Sequence, residues 1–140
     1  MTEKIENNGK ILAIIIGSSF KKEGIEFFTP DSFSQQLGYM NRKAGYTIAP
    51  HSHNQVDRTV TFYQEVLFIR SGKVQVDFYN DEHEYLENRV LSAGDVILLA
   101  SGGHGFHILE DAEMIEVKQG PFVGEEGRIN IKQYNGNPVK

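Results

Sequence analysis

The chain has 140 residues, 39% of them hydrophobic and 24% charged, which suffices for the core of one globular domain and leaves little length for a second. Its formal net charge of -5 and its lack of an arginine-rich stretch argue against nucleic-acid binding, so a small polar molecule or a protein is the expected partner. The absence of cysteine excludes disulfides, thiolate metal sites and a cysteine nucleophile.

No targeting or membrane segment is expected. The longest apolar run near the start, residues 11–16, is too short for the core of a signal peptide and far too short to span a bilayer. We therefore expect a cytoplasmic protein that has no membrane partner.

The first forty residues predict a tail followed by short strands. Residues 1–10 are polar and lack periodicity, so we expect a mobile tail before an ordered single domain at 11–140. The run ILAIII at 11–16 is typical either of a strand buried on both sides or of an edge strand that crosses a partner subunit. Residues 25–28 are strand-like, and residues 32–40 favour a turn into a strand over one helical turn.

From Gly45 onward, strand and turn signals alternate at short intervals. Ser71 and Gly72, between two apolar runs, predict a tight hairpin. Strands this short and regularly spaced, without a long amphipathic helix, predict an all-β sandwich or barrel. The predicted extended segments are residues 46–49, 65–69, 73–79, a segment ending at 90–91, 96–100, 106–109 and 114–118, with 128–132 as one further candidate.

Three histidines and one carboxylate are candidate metal ligands. His51 and His53 are separated by one residue, so on an extended strand both imidazoles point to the same face. Glu65 opens the next apolar strand, where its carboxylate could complete three sides of a divalent-metal site, and His104 follows a glycine-rich turn. Asp57 is the competing carboxylate. We prefer Glu65 because it alternates with inward-pointing apolar residues.

The two remaining histidines are expected to have no ligand role. His107 lies three positions after His104, which places it on the opposite face of a regular strand, as is typical of a solvent or interface histidine. His83 lies in the charged stretch at 80–84, where exposure is expected.

Two stretches resemble the motifs of the cupin family. The first, residues 45–72, has a longer interval between its histidine pair and its glutamate than is usual in that family. The second, residues 94–106, has Ala100 in place of the family's proline and is one residue short before its histidine. The resemblance covers about residues 37–118. The matching positions are Gly45, His51, His53, Glu65, Gly72, Gly94, Asp95, Gly102 and His104.

The resemblance implies a cupin double-stranded β-helix, or jelly roll, with the two motifs on facing strands. It also implies that His51, His53, Glu65 and His104 bind one divalent metal ion inside the barrel. Zinc, iron, manganese, nickel and cobalt are all compatible with three imidazoles and one carboxylate, and one or two coordination positions would stay open for water or substrate.

An open metal site of this kind predicts a small-molecule enzyme. The resemblance favours an isomerase or epimerase acting on a carbohydrate derivative, with an iron-dependent dioxygenase and a non-catalytic binding or sensing module as alternatives. The expected catalytic residues are Arg58, Tyr63, Gln64 and Lys118. Glu116 shares a strand face with Lys118, so the two either line the barrel as an acid–base pair or form an exposed charged stripe.

We also expect a homodimer. Small cupins resemble one another in pairing through sheet edges. The apolar run at residues 11–16 would need protection if it formed an exposed edge strand, and a second subunit would supply that protection.

Overall fold

The computed structural model describes residues 1–132 and 134, and its regular structure is almost entirely β-strand. One turn of 3₁₀ helix at Gly124–Gly127 is the only helix in this part of the chain. The all-β class that the strand spacing predicts is therefore confirmed. The eight strands are β1 (Thr2–Asn7), β2 (Lys10–Ile16), β3 (Gly24–Phe27), β4 (Gly38–Asn41), β5 (Glu65–Tyr79), β6 (Tyr85–Ser92), β7 (Val96–Leu99) and β8 (Gly103–Lys118).

Six of these strands form one antiparallel sheet in the order β1-β2-β7-β5-β6, and β8 pairs along β5. The remaining strands, β3 and β4, form a separate two-stranded ribbon. The large sheet curls into a half-barrel, an architecture that is compatible with a β-sandwich or a jelly roll. No helix in the described part of the chain is long and apolar enough to cross a membrane.

The strand β5 is continuous over 15 residues and bends at its middle. Its pairing with β8 shifts register three times between Ile69 and Val74, and within this interval Gly72 has a φ of 82°. A side chain at Gly72 would collide with the backbone of Asp111 and Ala112, so the bend requires glycine. The hairpin predicted at this point is wrong, because the glycine bends one strand and does not reverse the chain.

The strand β8 is likewise continuous where two strands, 106–109 and 114–118, were predicted. The predicted break between them coincides with the register shifts opposite the bend of β5. Bulges keep both sides of the bend in one ladder, and a period-two pattern read from sequence cannot distinguish a bulge from a break. Residues 128–132, a possible strand, form none.

The N-terminal residues form β1, which pairs with β2, so the structure differs from the predicted mobile tail. Ile5 is only 2% exposed and anchors this strand in the core, while the charged residues around it conceal the pattern. Since β2 lies between β1 and β7 and its residues 12–16 are buried, the first reading of ILAIII, a fully buried strand, is confirmed. The predicted homodimer loses its support from this strand and stays a prediction.

Two apolar clusters lie on the two faces of the curled sheet, because neighbouring strand residues point to opposite faces. The outer cluster, around Ile14 and Leu98, is packed against by aromatic side chains from residues 20–33. The inner cluster joins Leu67 and Ile69, before the bend of β5, to Phe78 after it. Glu65 alternates with Leu67 and Ile69, so its side chain belongs to the inner face.

The longest connection, residues 42–64, joins β4 to β5 and contains no strand. The extended stretch predicted at residues 46–49 therefore joins no sheet. All residues from 42 to 63 are exposed, whereas Gln64 is buried at the start of the sheet. This connection carries the histidine pair and several of the expected catalytic residues.

Candidate functional site

The curl of the sheet brings together two residues that a straight strand would hold far apart. Glu65 begins β5, whereas His104 pairs with Phe78 near the other end of the same strand. Phe78 lies 13 positions after Glu65. A straight strand of that length would span about 43 Å at roughly 3.3 Å per residue. In the structure, Glu65 Oε1 lies 2.7 Å from His104 Nε2.

His104 and Glu65 form an imidazole–carboxylate pair on the inner face. The Glu65 side chain is 9% exposed and the His104 side chain is 30% exposed, so water has little access to the carboxylate and reaches one side of the ring. When Nε2 donates its proton to Glu65, the neutral ring keeps its lone pair on Nδ1. A buried carboxylate that orients a histidine in this way prepares the ring for proton transfer.

Glu116 and Lys118 extend this pair along β8. They lie opposite Leu67 and Glu65, so both point to the inner face while their side chains stay exposed. Glu116 also forms a side-chain hydrogen bond with Glu65. The structure thus combines the two alternatives for these residues, because they are an exposed charged pair that borders the inner site.

The two glutamates in contact have pKa values shifted in opposite directions. The hydrogen bond from His104 is the main cause that holds the pKa of Glu65 below its ordinary value, against the opposing effect of burial. The bond to Glu65 and burial raise the pKa of Glu116. Glu65 is therefore the ionised member, and Glu116 retains a proton to higher pH than an ordinary glutamate. Lys118 lowers the pKa of both carboxyl groups through its charge.

The other two candidate metal ligands form a separate pair. His51 and His53 lie on the exposed connection with their ring centroids 5.3 Å apart, and His51 Nδ1 is 2.8 Å from the Ala49 carbonyl oxygen. Asp57, the competing carboxylate, is exposed on the same connection. Within residues 1–132 and 134, no three His, Asp or Glu side chains gather into a group that could hold a metal ion. As placed here, the four candidate ligands do not fit one ion.

The expected catalytic residues on the connection lie in different environments. Arg58 and Tyr63 are exposed on residues 42–63. Gln64 is 3% exposed, and its Oε1 accepts hydrogen bonds from the backbone N–H of Gln35 at 3.1 Å and the hydroxyl of Ser34 at 3.3 Å. These bonds give Gln64 a structural role at the start of β5. Of the four expected residues, Lys118 is the one that pairs with Glu65 across neighbouring strands and shares its face.

A second buried cluster lies on the opposite face of the sheet. Asp77 is 1% exposed, and its carboxylate accepts from Gln75 Nε2 at 2.8 Å and contacts His107 Nε2 at 2.9 Å. His107 faces away from His104, as its spacing predicts, but it is hydrogen-bonded and not a plain surface histidine. The signal in the sequence was the alternation VQVDF, which places Gln75 and Asp77 on one face within an apolar run.

The glycine and aspartate of the second motif hold the turn beside the bend of β5. Gly94 donates its backbone N–H to the Ile69 carbonyl at 2.7 Å. The Asp95 carboxylate accepts from the backbone N–H groups of Ser18 and Ser92, both at 2.8 Å. These bonds tie the turn between β6 and β7 to the bend that brings Glu65 and His104 together.

The chemistry of this site rests on its own residues. It offers a buried carboxylate, an oriented imidazole, a carboxyl with a raised pKa and an ammonium group on one face.

Comparisons of the chain with protein-family models, with curated proteins and with solved structures find no match.

Proposed function

We propose that the protein is an acid–base enzyme that moves a proton on a small polar molecule, in the manner of an isomerase or epimerase, within a jelly-roll barrel related to cupins. The observation that carries the proposal is the convergence of His104, Glu65 and Glu116 on the inner face. The curled antiparallel sheet and the contact between one residue of each cupin-like motif support the family relationship.

Each side chain has a distinct part in the proposed reaction. Glu65 orients His104, whose Nδ1 lone pair removes a proton from the carbon next to a carbonyl group. The electron pair of the broken C–H bond moves to the carbonyl oxygen. The ammonium group of Lys118 stabilises the negative charge there.

Glu116 completes the proton transfer. Because its pKa is raised, it holds a proton at a pH at which an ordinary glutamate has lost it. It donates that proton to the intermediate and takes up another from water, while the imidazolium of His104 releases its own proton to water. Delivery to the former carbonyl carbon, together with transfer of the adjacent hydroxyl proton to the former carbonyl oxygen, gives an aldose–ketose isomer, and delivery to the opposite face of the same carbon gives an epimer.

A metal ion has no assigned step in this proposal. The ligand set implied by the cupin resemblance is divided between His104–Glu65 and His51–His53, which stand apart in this structure. The dioxygenase alternative depends on that same set. The predicted metal site and the dioxygenase alternative are therefore tested together with the acid–base proposal.

The direct test is exchange of carbon-bound hydrogen for deuterium. The protein is incubated in heavy water with a panel of aldoses, ketoses and their phosphorylated derivatives, and exchange is followed by proton NMR. The wild type should catalyse exchange in one compound, and E116Q and H104Q should slow it on the order of 10²- to 10⁴-fold. The matched control is E110Q, because Glu110 is an exposed glutamate of β8 that pairs with Lys73 at 3.4 Å.

Three outcomes would overturn the proposal. One is no exchange with any compound, which would favour a non-catalytic binding module. Another is equal activity of E116Q and E110Q. The third is exchange or oxygen uptake that appears only after loading with zinc or iron(II) and disappears in the H51A/H53A double variant, which would assign the chemistry to a metal ion.

A further inference from the structure

A cleft of about 360 Å³, lined by both apolar and hydroxyl-bearing residues, lies at the start of β5. It is formed where the long connection meets the turn before β4 and the ends of β2 and β7. Its volume is within the roughly 300–1,000 Å³ range of small-molecule sites, near the lower end. Hydroxyl side chains dominate its polar lining, and they are Ser32, Ser34, Thr59, Thr61 and Ser101.

The cleft offers hydroxyl groups and an aromatic ring without an unmatched charge. Lys10 is its one charged lining residue among those described, and Lys10 Nζ is 2.8 Å from Asp81 Oδ2 and 5.0 Å from the ring centroid of Phe62. The lysine charge is thus already compensated. A phosphate or carboxylate ligand is best held by free cations or a set of N–H donors, whereas hydroxyls both donate and accept.

We infer that this cleft binds an uncharged polyhydroxyl compound of about monosaccharide size. Such a compound presents hydroxyl groups at its edge, which match the hydroxyls of Ser32, Thr59 and Thr61, and C–H groups on its ring face, which match Phe62. The other two hydroxyls are already hydrogen-bonded within the protein, Ser34 to Gln64 and Gln119, and Ser101 to the Ile11 carbonyl. The floor is rigid because buried Gln64 is hydrogen-bonded to residues 34 and 35, and its amide lies 3.5 Å from the Ala100 carbonyl oxygen.

The cleft borders the proposed active site. Gln64 and Ala100 line it, and the residues beside them, Glu65 and Leu99, are paired in the sheet. The cleft therefore begins one residue from Glu65, at the start of β5. The statement that the bound compound is part of the substrate rests on the proposed function, whereas binding in the cleft stands without it.

The experiment measures binding and not turnover. Saturation-transfer NMR with glucose, galactose and inositol, each at up to tens of millimolar, is compared with phosphorus NMR of inorganic phosphate. The wild type should bind at least one neutral compound, and T59V/T61V should weaken its binding by about tenfold or more, since two hydrogen-bonding groups are lost. T47V is the matched control on the same exposed connection outside the cleft, and its Kd should stay within about twofold.

A second variant, F62L, tests the aromatic contribution and should also weaken binding. The inference fails if no neutral compound binds, if phosphate alone binds, or if T59V/T61V binds as tightly as T47V. Binding that the variants abolish supports the inference even when no exchange of carbon-bound hydrogen is seen, so failure of the acid–base proposal is distinguished from failure of the cleft.

Discussion

Replacing His104 by alanine provides the sharpest test of the site. The substitution removes the imidazole that lies 2.7 Å from the Glu65 carboxylate, and the Glu65 side chain itself is only 9% exposed. A hydrogen bond to a charged group contributes about 1.5–3 kcal/mol to stability. Because the His104 side chain is 30% exposed, water replaces part of the lost bond. We therefore expect H104A to lower the free energy of unfolding at neutral pH by about 2 kcal/mol.

The destabilisation should depend on pH in a defined direction. The pKa of Glu65 is lowered in the folded protein, so its contribution to stability is present above the ordinary glutamate range and is lost as pH falls through the lowered pKa. Removing the main cause of that shift leaves burial, which raises the pKa of Glu65, opposed only by Glu116 and Lys118, so the pKa of Glu65 is less lowered in the variant. The difference between wild type and H104A should therefore be largest near neutral pH and diminish on acidification.

Urea unfolding followed by circular dichroism, repeated from pH 7 down to about pH 2, measures both effects. H104Q keeps an N–H donor and should lose less stability than H104A. The exposed-histidine control H53A should stay within about 0.5 kcal/mol of wild type. A double-mutant cycle of H104A with E65Q should give a coupling energy of about 1–2 kcal/mol. A coupling energy near zero, or a loss that is the same at every pH, would refute the reasoning.

Three further changes test the surrounding structure. E116Q removes a carboxyl group whose pKa is raised in the folded protein. The wild type should therefore lose stability relative to E116Q as the pH rises from the ordinary glutamate range through that raised pKa. Parallel pH profiles of the two proteins in urea unfolding would contradict this. G72A should lower the free energy of unfolding by roughly 2–5 kcal/mol, because a positive φ and a backbone collision act together. The control G9A, with φ 75° and open space around it, should lower it by only about 1–2 kcal/mol. Similar midpoints of the two variants in thermal unfolding would show that the bend tolerates a side chain. D77N should cost about 1–3 kcal/mol because it replaces a buried acceptor of two side-chain donors, and unchanged urea unfolding would show that this cluster contributes nothing.

The fold class follows from local patterns that the sequence carries directly. Short apolar segments such as 65–69 and 96–100 encode strands, because strand side chains alternate between two faces and each strand buries one face or both. The same alternation placed Glu65 with Leu67 and Ile69 on one face and separated His107 from His104, and the structure agrees in both cases. Assigning residues to one face of a strand in this way requires only the two-residue period of strand side chains.

The tertiary structure decided which of those faces meet. Ile5 is surrounded by polar residues in the sequence, so the hydrophobic pattern does not reveal β1. The position of Ile5 in the core depends on the pairing of β1 with β2. The positive φ of Gly72 turned a predicted hairpin into a bend, and that bend, with the curl of the sheet, brings His104 to Glu65. Sequence alone established which residues can share a face. Their distances depend on bulges and long-range register, whose energies arise only when distant strands pair.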